Sequence, residues 1–123
     1  MTKQQFLQKL PDQIHIQGTQ SSKQVYVDGV HLIPDGSRRI RDHSSEFAWG
    51  YAGSGPAQFA LALLMLYVDA DTAETYHQDL KSGWVTGLPQ KNFDLYVNLR
   101  WVIETILQHD NPFDAAKLIK SMQ

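Results

Sequence analysis

The sequence predicts an α+β fold: a small antiparallel sheet of three strands in the N-terminal part, packed against three to four helices in a single domain. Three observations carry this. Apolar and polar residues alternate with period two on both sides of Asp28-Gly29, an apolar run from Phe59 to Val68 follows Pro56, and the remaining chain shows helical periodicity. The 123 residues are 42% hydrophobic and 20% charged with a net charge of −2, the profile of an ordinary globular domain. A chain of this length buries roughly two-thirds of the surface its unfolded form exposes, enough for one core. The absence of cysteine excludes a disulfide framework, a zinc-thiolate site, an iron-sulfur cluster and a cysteine nucleophile.

The elements follow in order. Met1 to Leu10 suits a short helix with Phe6 and Leu10 at i and i+4, ended before Pro11. Ile14 and Ile16 alternate with polar neighbours as a first strand. Val25, Val27, Val30 and Leu32 flank Asp28-Gly29, a type I′ hairpin in which Val27 faces Val30 and Val25 faces Leu32. All four then share one face, with Tyr26, His31 and Ile33 on the other. Pro34 to Ser37 end the sheet, and an irregular stretch runs from Arg38 to Gly55.

Pro56 suits a first helical turn, and Ala57 to Val68 are apolar on every side except Gln58, so this helix belongs at the centre. Asp71 and Glu74 read as a capping-box pair opening a second helix with Tyr76, Leu80 and Trp84 on one stripe, closed by Gly87 and Pro89. Gly83 within it costs about 1 kcal/mol relative to alanine, which points to close packing or an earlier break. A third helix is expected to begin between Asp94 and Val97 and to end near Asp110. Asn111 caps a last helix, with Pro112 in its first position and Ala115, Leu118, Ile119 and Met122 packing it down.

The segment His43 to Gln58 is more particular. It resembles an uncharacterised bacterial and phage family, a domain of unknown function in which a Trp-Gly-Tyr-Gly-Gly-Ser-Gly-Pro-Ala-Gln block precedes an apolar helix. Here the block reads Trp49-Gly50-Tyr51-Ala52-Gly53-Ser54-Gly55-Pro56-Ala57-Gln58. This chain has Ser45 where proline is usual, Glu46 where glycine is common and Ala52 where glycine is usual. The likeness extends to Val25–Gly29, Leu32 and Pro34 upstream, and to Val85, Leu88-Pro89, Phe93, Leu95 and Trp101 downstream. It divides the domain into an extension over residues 1–23, a family-like core over 24–102 and a helical extension over 103–123. The resemblance implies a compact domain, often carried by mobile elements, with no assigned activity.

The candidate ligand-binding residues all lie in this region: Arg38, Arg39, Arg41, His43, Glu46, Trp49, Tyr51, Gly53, Ser54, Gly55 and Gln58. The first expectation is a non-enzymatic binding module, an accessory or regulatory protein that meets a protein partner through the 38–58 loop and the sheet face around it. The alternative is a binder of a small anionic, phosphate-bearing ligand, or a small enzyme, with arginine clamps, Gly53–Gly55 amides as donors and His43 or Glu46 as acid-base groups. Against it, the glycines fit neither a dinucleotide fingerprint nor a P-loop, and the structural reading has them packing Trp49 and Tyr51 on the buried helix.

Nucleic acid ranks third and is disfavoured. Residues 1–41 carry six Lys/Arg against three Asp/Glu, but residues 42–123 carry five against ten, which opposes a polyanion. Tyr26 and His31 would offer it stacking surfaces. Asp42, His43 and Glu46 have the side chains of a metal or acid-base cluster without its spacing, and Asp69-Ala70-Asp71 lacks the glycine and terminal glutamate of a calcium loop. No metal, cofactor or catalytic residue is therefore expected. The longest apolar stretch spans ten residues where a membrane needs about 20. No secretory signal stands behind Met1 to Phe6, and the expected setting is the cytoplasm, as monomer or homodimer.

Overall fold

The computed structural model describes residues 1–122, with the side chain of Met122 outside the described set. Its order is α1 (Lys3–Lys9), β1 (Ile14–Thr19), β2 (Gln24–Val27), β3 (Val30–Leu32), α2 (Asp35–Arg38), α3 (Ser54–Leu64), α4 (Ala70–Gly83), a 3₁₀ turn (Val85–Gly87), β4 (Phe93–Val97), α5 (Leu99–Leu107) and α6 (Pro112–Met122). The α+β class holds, with six helices, but the sheet has four strands in the order β3-β2-β1-β4, not three. The added strand is the segment assigned to the start of the third helix. Phe93, Leu95 and Val97 alternate with Asp94 and Tyr96, and β4 pairs antiparallel with β1 from Ile14↔Val97 to Gly18↔Phe93. The helix starts only at Leu99, capped by Asn98, whose side chain accepts from the Trp101 amide at 2.9 Å.

The hairpin has the predicted register, with Val25↔Leu32, Tyr26↔His31 and Val27↔Val30. Asp28 and Gly29 both take positive φ, 50° and 80°, the geometry a type I′ turn requires. Val30 shares the covered side of the sheet with its three partners but lies on the edge strand and stays 68% exposed.

α3 is the centre of the molecule. Every residue from Gly55 to Leu64 is buried, and Phe59 sits among Phe47, Trp49, Trp84 and Phe93 with ring centroids 5.6–6.4 Å away. The helix ends at Leu64 rather than Val68, where shorter-range turns take over. α4 packs on α3 and α6, and α5 packs on α6 and α1. One continuous core joins these helices to the inner face of the sheet.

Two local expectations change. Asp69, not Asp71, caps α4, accepting from the Thr72 amide at 3.1 Å and its hydroxyl at 2.7 Å. The helix also opens earlier and ends at Gly83, where the Ile106 side chain fills the space of a Cβ. Past Pro34 the segment expected only to end the sheet makes the single turn α2, which takes in Arg38, the first residue of the stretch expected to be irregular. At the C-terminus the Asn111 side chain caps α6 through the Phe113 amide at 2.9 Å. Ala115 and Ile119 are buried, whereas Leu118 is 43% exposed. No helix of the described residues is long and apolar enough to cross a membrane.

Candidate functional site

The 38–58 segment splits into an inner and an outer half. In the inner half Phe47, Ala48 and Trp49 are buried, and the Trp49 indole donates to the Lys91 carbonyl at 3.0 Å. The glycines serve this packing. An ideal Cβ on Gly55 would stand 2.6 Å from the Ala48 Cβ, so only glycine lets the start of α3 lie against the loop. Tyr51 departs from the expected packing: its ring lies over Gly53 and is 46% exposed instead of buried with Trp49, and Ser54 opens α3 at the surface.

Gln58 joins the two halves. Fully buried in α3, it accepts from the amides of His43 at 2.7 Å and Ser44 at 3.1 Å, and donates to the Ser37 hydroxyl at 2.7 Å. Ser37 in turn donates to the Pro34 carbonyl at 2.8 Å. One buried amide thus satisfies the loop backbone over a span that has no regular partner.

The outer half holds the charges. Arg38 is engaged by Asp42 through two bonds of 2.9 and 3.1 Å, which raise the guanidinium pKa and lower that of the carboxyl. Arg39 and Glu46 point outward without an ion-pair partner among the described residues. Asp42, His43 and Glu46 do not form a cluster. Asp42 belongs to Arg38, and the Glu46 amide turns back to the Ser44 hydroxyl.

Arg41 and His43 instead meet α4. Together with Glu74, Thr75, His77 and Gln78 they line a cleft of about 350 Å³. Arg41 Nε donates to Glu74 at 3.3 Å, and the Nε2 atoms of His43 and His77 face each other at 3.0 Å. His77 is only 2% exposed, and its Nδ1 lies 2.6 Å from the Glu74 carbonyl oxygen. A carbonyl only accepts, so Nδ1 carries the proton and Nε2 presents a lone pair to His43. Both histidines are held below the ordinary value, first by burial. The Arg41 and Lys81 charges add to this in each, and the Glu74 carbonyl opposes it at His77. The cleft therefore offers two neutral imidazoles, a carboxylate and a guanidinium. Among the described residues no three His, Asp or Glu side chains already stand together as a metal site.

Glu74 and His77 were absent from the candidate residues. Their signal is faint but present: His77 falls on the buried stripe Ala73, His77, Leu80, Gly83, an ionisable group where an apolar one is expected.

The model of a family of unknown function, DUF6166, matches residues 14–107. The chain belongs to that family. The DUF6166 match takes in all four strands, α2 to α5 and both walls of the cleft. No curated protein and no solved structure matches the chain.

The outer face of the sheet is a second accessible surface. His15 stacks on Tyr96 at 4.5 Å and Tyr26 on His31 at 4.9 Å, while His15 Nε2 lies 2.6 Å from Asp94 and holds that carboxyl below its usual range.

Proposed function

We propose that this DUF6166 protein is a non-enzymatic binding module that recognises a protein partner through the outer half of the 38–58 segment and the cleft it shares with α4. One observation carries this reading: the His43–His77 contact, together with Gln58 on the loop backbone, fixes the outer half to the helical core. Arg39, Arg41 and Glu46 are then presented from a preorganised backbone, which limits the ordering cost of association. An accessory or regulatory role associated with bacterial phage or other mobile elements is the setting that the Trp49–Gln58 block favours, with the cytoplasm as its proposed location.

The test is capture of partners from the native host with wild-type protein and with the Arg39→Glu/Arg41→Glu double variant, both checked for folding by circular dichroism. Loss of a specific partner with the variant supports the reading. Retention of every partner removes the outer loop from recognition.

A second reading, a small anionic ligand, is favoured by Arg41 and Lys81, whose charges both reach the histidine pair. Titration with inorganic phosphate and nucleotides tests it, and absence of saturable binding at millimolar ligand rules it out.

A further inference from the structure

We infer that His43 and His77 anchor a binding site for a late first-row divalent metal ion, zinc in particular, with Glu74 as the third protein ligand. The inference concerns the same cleft but does not rest on the partner reading, since zinc binding is measured on the chain alone.

His77 has the arrangement of a metal-binding histidine. Its Nδ1–H is held by the Glu74 backbone carbonyl at 2.6 Å, which fixes the ring and directs the Nε2 lone pair into the cleft. His43 supplies a second Nε2 at 3.0 Å, from a ring tilted by 41°. Two nitrogens bound to one tetrahedral zinc at about 2.0–2.1 Å stand about 3.3 Å apart. Conversion of the hydrogen-bonded pair into a chelate therefore takes a few tenths of an ångström of separation and a turn of each ring by about 35°, so that the two lone pairs converge on the ion instead of facing each other. The proton that His43 now shares moves to its own Nδ1, which has no partner among the described residues. Metal uptake then releases no net proton from the pair.

Glu74 precedes His77 by three residues on α4, so both project from one face, the Glu-x-x-His spacing by which helices supply metal ligands. Its carboxylate already lines the cleft, turned toward Arg41 at 3.3 Å. Arg41 has a side chain 56% exposed and can leave into solvent, freeing the carboxylate, and water completes the shell. Two imidazoles and one carboxylate select zinc, nickel or copper over magnesium and calcium, which prefer oxygen ligands. The Arg41 and Lys81 charges oppose a cation and keep the affinity moderate.

The test is calorimetric titration of the untagged, chelator-treated full chain with zinc chloride, accompanied by thermal unfolding. One-to-one binding in the micromolar range, with a raised unfolding midpoint, is expected. His43→Ala, at a half-buried position, should abolish both, Glu74→Gln should weaken binding roughly tenfold, and Arg41→Ala should strengthen it by freeing the carboxylate. His77→Ala should match His43→Ala; if it fails to fold, the His43 variant still decides. Absence of stoichiometric binding overturns the inference. So does binding that survives His43→Ala, which would move the ion elsewhere, with the exposed His15–Asp94 pair as the next site to substitute.

Discussion

The inner and outer halves of the 38–58 segment look alike in composition, each with aromatic or ionisable side chains on irregular backbone, yet they do opposite work. Residues 47–49 and 55–58 are core: Trp49 and Phe47 surround Phe59, and Gly55 admits the loop against α3. Residues 38–46 form surface, fastened at Gln58 and His77 and otherwise open. A glycine- and aromatic-rich block can thus mark a packing solution while its plainer neighbour lines the cleft.

The sharpest way to break the comparison is to remove its inner anchor. Trp49→Ala deletes a side chain 1% exposed and should cost about 3–5 kcal/mol in urea denaturation. Gly55→Val should be similarly severe, because Ala48 cannot retreat from a branched side chain. A cost near zero for either would mean that the block is not core.

Next comes the joint between the halves. Gln58→Ala leaves two loop amides and the Ser37 hydroxyl without their buried partner, with an expected loss of about 2–3 kcal/mol. Amide exchange at His43 and Ser44 should rise well above that of the rest of the variant. Uniform exchange across the chain would show that Gln58 supports only the helix.

A smaller effect follows from pH. His43 and His77 are depressed in the folded chain, so between those lowered values and the ordinary histidine value of 6.5 the unfolded chain binds more protons. Stability contributed by keeping the pair neutral is present above that value and falls as pH drops toward the folded pKa values. Unfolding midpoints compared at about pH 7.5 and about pH 5, with chelator present, should show this loss, and His43→Ala should reduce it. The least effect is expected at the exposed outer residues. Arg39→Ala and Glu46→Ala should leave the unfolding midpoint unchanged while altering only recognition.

The hairpin was legible because turn chemistry and side-chain register agree at Asp28-Gly29. The central helix was legible because an apolar run that leaves no polar face has one place to go. β4 was missed although Phe93–Val97 alternates, since Leu99, Val102, Ile103 and Ile106 begin a helical pattern directly behind it and the boundary falls at Asn98. In the cleft, Arg41 and His43 were legible as polar groups beside a distinctive block. Their α4 partners were not, because a contact across 34 residues is set by how α4 packs on α3 and leaves no local spacing to find.

The most direct test of the joined loop and helix is the protonation of the two imidazoles, read by nitrogen-15 resonances of the histidine rings in chelator-treated protein at neutral pH. The expected spectrum has His77 with its proton on Nδ1 and its Nε2 accepting from His43, with contacts between the two rings. A His77 proton on Nε2, or no contact with His43, would contradict the fastening of the outer loop to α4.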